Sequence, residues 1–162
     1  MSDRGRWTPP TAAERLAILR RTRRVAIVGA SANPARPSYF VSTYLVSSSC
    51  DYEVYFVNPK GTKILGRPCY PSLADLPVPP DLVDVFRRKE ELEDVAGDAI
   101  AVGARAFWAQ LGLYHEGGAQ LAFDAGLDVV MDRCLKIEHA RFHGGLHLAG
   151  FDTGVISSRV SL

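Results

Sequence analysis

The sequence predicts a doubly wound, Rossmann-like α/β domain, with a five-stranded, mainly parallel sheet and helices on both faces. Three observations predict it. Short apolar runs rich in Val, Ile and Phe recur along the chain, separated by helical patterns. The first run, Val25-Ala26-Ile27-Val28, is apolar at every position, as a strand covered on both faces requires, and stops abruptly at Gly29. The interval between successive runs leaves room for a helical crossover, so the units read as right-handed βαβ.

In chain order, residues 1–22 hold an N-terminal helix: Thr11 caps it, Glu14 completes a capping box, and Leu16, Ile18 and Leu19 give it an apolar side. The strand at 25–28 is followed by a helix over 39–48, with Phe40, Val41, Tyr44 and Leu45 on one side. A strand at 53–57 ends in Asn58-Pro59, and a Pro-rich connection carries a helical turn at 72–76. A strand at 82–86 leads into an acidic helix over 90–102, and a strand at 106–108 into a helix over 115–125 that Gly126 stops. The last strand, 128–131, leads into a helix at 137–142, and residues 143–162 form a Gly-, Ser- and Thr-rich tail. The whole chain, 162 residues, reads as one domain.

Composition narrows the function. A net charge of +1 excludes a strongly basic nucleic-acid binder while allowing a local basic pocket. No apolar stretch of about 18 residues exists to span a membrane, and the polar, Arg-rich N-terminus has no secretory core. Cys50, Cys69 and Cys134 are odd in number and widely spaced, which fits neither a disulfide framework nor a zinc site and points to a reducing cytoplasm. His115, His143 and His147 lack ligand spacing, so no metal is assigned. Few amides, and Arg in preference to Lys, fit a thermophile or a codon bias equally well. Isologous dimerisation is plausible for a sheet this small.

Ligands of open α/β sheets bind outside the carboxyl ends of the strands, which marks five places. After the first strand, Gly29-Ala30-Ser31 lets backbone N–H groups approach a phosphate, Arg36 adds a forked contact, and Ser38 supplies a hydroxyl or a helix cap. Ser31 and Pro34 stand where a dinucleotide dehydrogenase carries its second and third glycines. After the second strand, Asn58-Pro59-Lys60 offers a cation where an NAD enzyme has a carboxylate, which suits a nucleotide with an extra phosphate; the same residues also suit a plain turn. After the third, Arg87 can reach phosphates and Phe86 can lie against a base or ribose, whereas Arg88 and Lys89 read as a solvated run balanced by nearby glutamates. After the fourth, Trp108 and Gln110 before Gly112 can wall a slot. After the fifth, Cys134 with His139 invites a nucleophile reading, but a five-residue spacing does not align them on a helix, and a structural thiol is the simpler account.

Together these segments resemble the stand-alone CoA-binding proteins, Rossmann domains similar to the N-terminal domain of the succinyl-CoA synthetase α subunit. The matching pieces are residues 25–31 with Arg36-Pro37-Ser38, then Val57-Asn58-Pro59-Lys60-Gly61, Leu65-Gly66 and Tyr70-Pro71-Ser72-Leu73. They continue in order through Asp84-Val85-Phe86-Arg87, Trp108-Ala109-Gln110-Leu111-Gly112 and Val130-Met131-Asp132-Arg133-Cys134. The resemblance implies a site for coenzyme A or an acyl-CoA at the carboxyl edge of the sheet, with the Gly29–Ser31 turn around the phosphates and Lys60 and Arg87 supplying charge. The synthetase subunit continues into a domain with a phosphorylated histidine that has no counterpart here, so ligase chemistry is not carried over. The expectation is a non-catalytic binding, carrier or regulatory protein. An NADP-dependent oxidoreductase and a thiol-based function through Cys134 are the alternatives.

Overall fold

The computed structural model describes residues 4–47 and 50–143, so the expected tail from residue 144 on, with His147, and the expected end of the second helix at Ser48 lie outside the described residues, while residue 143 ends the last helix. The elements run α1 (Ala12–Arg20), β1 (Arg24–Val28), α2 (Pro37–Leu45), β2 (Glu53–Val57), β3 (Cys69–Tyr70), β4 (Leu82–Val85), α3 (Leu92–Ala101), β5 (Ala106–Ala109), α4 (Glu116–Asp124), β6 (Asp128–Val130) and α5 (Leu135–His143). Single 3₁₀ turns at Leu73–Asp75 and Lys89–Glu91 precede β4 and α3. All strand pairs are parallel, in the order β3-β2-β1-β4-β5-β6.

The sheet therefore has six strands, not five. The additional strand, β3, is two residues long and pairs Cys69 and Tyr70 with Phe56 and Val57 at the edge. Two residues cannot display the alternation by which a strand is recognised, so its existence depends on the loop that delivers it. That loop turns at Leu65-Gly66, both at positive φ, between the bridged pair Ile64 and Arg67.

Side chains on alternate strand positions sort into two cores, one on each face. Ala26, Val28, Val83, Val85, Phe107 and Val129 pack under α3 and α4. Val25, Ile27, Phe56, Leu82, Trp108 and Val130 pack under α1, α2 and α5. This is the double cover that the continuous apolar runs predict. The capping box forms as expected: the Glu14 N–H donates to Thr11 Oγ1 at 3.2 Å and the Thr11 N–H to Glu14 Oε1 at 2.8 Å. What docks α1 is a buried ion pair, Arg15 Nε to Glu138 Oε1 of α5 at 2.6 Å. Arg15 also donates to the Pro10 carbonyl, which lowers the cost of burying its charge.

Candidate functional site

The strand order reverses between β1 and β4, each of which sends its chain to an opposite face, and a crevice opens at their carboxyl ends. Gly29 makes the junction. Its φ is +86°, and a Cβ there would stand 2.4 Å from the Phe86 carbonyl oxygen, so only glycine lets the β4 backbone pass this close. The crevice widens into a cavity of about 870 Å³.

All five strand-end loops reach it. Gly29, Ser31, Arg36 and Ser38 come from the first, Asn58 and Lys60 from the second, Phe86 and Arg87 from the third, Gln110 from the fourth and Cys134 from the fifth. Ala30 and Pro59 do not line it: Ala30 is buried, and Pro59 is exposed in the turn. Ala30 instead offers its carbonyl to Asn58 Nδ2 at 2.8 Å, which staples the first two loops together. Asn58 Oδ1 accepts from the Lys60 N–H at 2.9 Å and so holds the turn that presents Lys60.

Two expectations about this wall need correction. The N–H groups of Gly29 and Ala30 are not free for a phosphate, because both donate to the Val57 carbonyl, at 2.9 and 3.3 Å. The donors left open in the turn, among the described residues, belong to Ser31 and Ala32; from Asn33 to Arg36 the loop is occupied with its own Ser31 and Asn33 oxygens. Among the described residues no side chain caps the amino end of α2, where Pro37 stands in the first turn and Ser38 faces the cavity. Trp108 is not a wall either. It is fully buried in the face under α2 and α5, and its Nε1 donates to the Arg133 carbonyl at 2.8 Å. A large aromatic inside a two-sided sheet is worth more in the core than at its edge.

The cations divide into two kinds. Arg87 Nε pairs with Glu91 Oε1 at 2.5 Å, and Arg88 contacts the other carboxylate oxygen at 3.0 Å. These hydrogen bonds hold the Glu91 carboxyl below its ordinary range, so it stays ionised and balances part of their charge. The balancing expected for Arg88 thus extends to Arg87. Arg36 and Lys60 form no ion pair among the described residues and line the cavity.

The far end is built differently. Gln110, buried at strand β5, accepts the Leu135 N–H on its Oε1 at 3.0 Å and so caps α5 across 25 residues. This explains why α5 begins at Leu135 rather than at 137: its first turn is fixed by a remote amide. Asp132, at positive φ, accepts from the Gly112 N–H at 2.7 Å and ties the two last loops. Cys134 lines the cavity just before α5. His139 does not face it: its Nδ1 meets the Tyr44 hydroxyl at 2.8 Å and lies 4.0 Å from Cys50 Sγ, so the geometry joins His139 to α2 and not to Cys134.

One buried group was not singled out in the sequence as functional. Asp84 of β4 is fully buried between Ile27 and Trp108, and neither carboxylate oxygen has a hydrogen-bond partner among the described residues. Burial pushes its carboxyl well above the ordinary range.

Comparison with known proteins places the chain among relatives of the same fold. The chain is 40% identical over 131 residues to the uncharacterized protein YneT of Bacillus subtilis, covering 81% of this chain and 96% of that one. A hypothetical protein from Pyrococcus horikoshii has a solved structure that superposes with a TM-score of 0.78 at 37% identity, covering 85% of this chain and 98% of the other. The chain is also 27% identical over 135 residues to an ADP-forming acetate–CoA ligase of Archaeoglobus fulgidus, spanning 83% of this chain but only 19% of that enzyme. A family model described as a CoA binding domain matches residues 23–140, from the start of β1 into α5, and the chain belongs to that family.

Proposed function

We propose that the cavity binds coenzyme A or an acyl-CoA and that the protein serves as a binding, carrier or regulatory component rather than as a catalyst. The observation that carries this is the pair of unpartnered cations, Arg36 and Lys60, at the switch point of a member of a CoA binding domain family. Lys60 occupies the position after β2 where an acidic residue would select the ribose of NAD, and a cation there complements the 3′-phosphate that distinguishes coenzyme A from its dephospho form. Arg36 and the open N–H groups of Ser31 and Ala32 suit the pyrophosphate. A binding role is supported by the state of Glu91, the carboxylate at the cavity, which is committed to two arginines instead of being poised to exchange a proton.

Thermal unfolding with added nucleotide tests the proposal. A ligand that binds only the folded state at a hundred times its Kd stabilises by about 2.7 kcal/mol. Coenzyme A is expected to raise Tm more than dephospho-CoA does, and Lys60→Ala to remove most of that difference, with a roughly fivefold weaker Kd for coenzyme A. Equal shifts from the two nucleotides overturn the role of Lys60. Tighter binding of NADPH than of coenzyme A overturns the proposal in favour of the oxidoreductase.

A further inference from the structure

We infer that the end of the cavity over β5 and β6 is a subsite for an apolar acyl group, so that the preferred ligand is an acyl thioester of coenzyme A and not the free thiol. This rests on the coenzyme A reading above and adds the chemistry of the ligand's far end.

Five large hydrophobic side chains are exposed among the described residues, and three of them, Phe40 at 61%, Leu111 at 63% and Ile137 at 48%, line this one cavity. Scattered exposed apolar residues need no explanation, but a cluster at the mouth of a pocket does. Their place in the sheet is informative. Lys60 follows β2 and Leu111 follows β5, three strands away, a separation of about 14 Å at the usual strand spacing. Ile137 lies in the first turn of α5, beyond β6. The cavity is therefore polarised along the sheet, charged over β2 and β1 and apolar over β5 and β6. A ligand with its phosphates at the charged end brings its sulfur to the apolar one. A bare thiol leaves Leu111 and Ile137 in water, whereas an acyl chain covers them.

The second observation is Gln110. It is 6% exposed and lines the cavity beside Leu111. Its Oε1 is spent on the Leu135 N–H, while its Nε2 has no protein partner among the described residues. That donor is open to the cavity rather than sealed in the core, so it is available to a ligand acceptor. A thioester carbonyl is such an acceptor; a thiol is a weak one. The apolar wall is also preformed, because Lys136 Nζ sits 3.4 Å over the Phe40 ring and joins α2 to α5 at the rim.

Calorimetric titration of the full chain with coenzyme A, acetyl-CoA and hexanoyl-CoA tests the inference. The expected order is hexanoyl tightest and free coenzyme A weakest, with a gain of about twofold per methylene, as for methylenes that are half covered. In the double variant Leu111→Ser/Ile137→Ser, both sites of which are exposed and outside the core, the Kd ratio between coenzyme A and hexanoyl-CoA is expected to fall to within about twofold. Coenzyme A binding with no gain from the acyl chain overturns this inference and leaves the proposed function standing, whereas failure to bind any of the three overturns both. An unchanged ratio in the double variant, accompanied by a smaller mass in solution, assigns the apolar residues to a contact between copies of the chain and overturns the inference as well.

Discussion

The two ends of the cavity are held by different means. Over β1 and β4 the contact is backbone against backbone: Gly29 lies under the Phe86 carbonyl, and the first loop spends its early N–H groups on Val57. That leaves the side chains of Arg36 and Lys60 unengaged. Over β5 and β6 the loops are tied by side chains, with Trp108 holding the Arg133 carbonyl, Gln110 the Leu135 N–H and Asp132 the Gly112 N–H. Polar side chains at that end are scaffold first, and mostly apolar ones remain to face the cavity. Where the backbone builds a wall, side chains are free to read a ligand; where side chains build it, substitution costs stability before it costs binding.

The sharpest way to break this contrast is Gly29→Val. A β-branched residue at φ +86° with its Cβ 2.4 Å from a carbonyl oxygen combines backbone strain with overpacking, and a loss of about 3 kcal/mol or more is expected in urea denaturation. A loss under about 1 kcal/mol would show that the backbone contact is not what shapes the charged end.

Asp84, in the β4 strand that Gly29 abuts, gives the next largest effect, with the opposite sign. Its carboxyl titrates well above the ordinary range when folded and near 3.9 when unfolded. Ionisation of the unfolded chain therefore removes stability as pH rises above about 4. Asp84→Leu is expected to be more stable than the parent at pH 8 by roughly 1–3 kcal/mol, with the gain vanishing toward pH 4. A pH-independent difference would mean that packing and not ionisation sets it.

The smallest effect sharpens the scaffold claim. Gln110→Leu removes the remote cap of α5, and a loss of about 1 kcal/mol is expected, concentrated in faster hydrogen exchange at the first turn of α5. An equal rise in exchange across β1 would show that Gln110 is not a local tie.

Much of this was legible in the chain. The run at 25–28, the strand at 53–57, the Thr11–Glu14 box and the stop at Gly126 announce themselves through local chemistry, because burial on two faces, capping and positive φ each demand particular residue types at short spacing. Arg36, Lys60, Arg87 and Gln110 could be named as candidates because the carboxyl ends of parallel strands must gather at one edge. The two-residue β3 could not, since it carries no period.

What only the tertiary structure decided is the use to which each residue is put. The sequence by itself determined the alternation of the longer strands with helical crossovers and the double cover of the sheet, both consequences of periodicity and chain connectivity. It did not determine that Trp108 turns inward, that Glu91 takes up Arg87, that the Gly29 and Ala30 amides go to Val57, or that Asp84 has no partner among the described residues. Apart from the local Arg87–Glu91 pair, those outcomes depend on which donors and acceptors meet across 25 or more residues, as when Gln110 finds Leu135, or on the fine packing of a single junction. Hydrogen bonds and close contacts are settled within ångströms, and that distance exists only once the sheet has assembled.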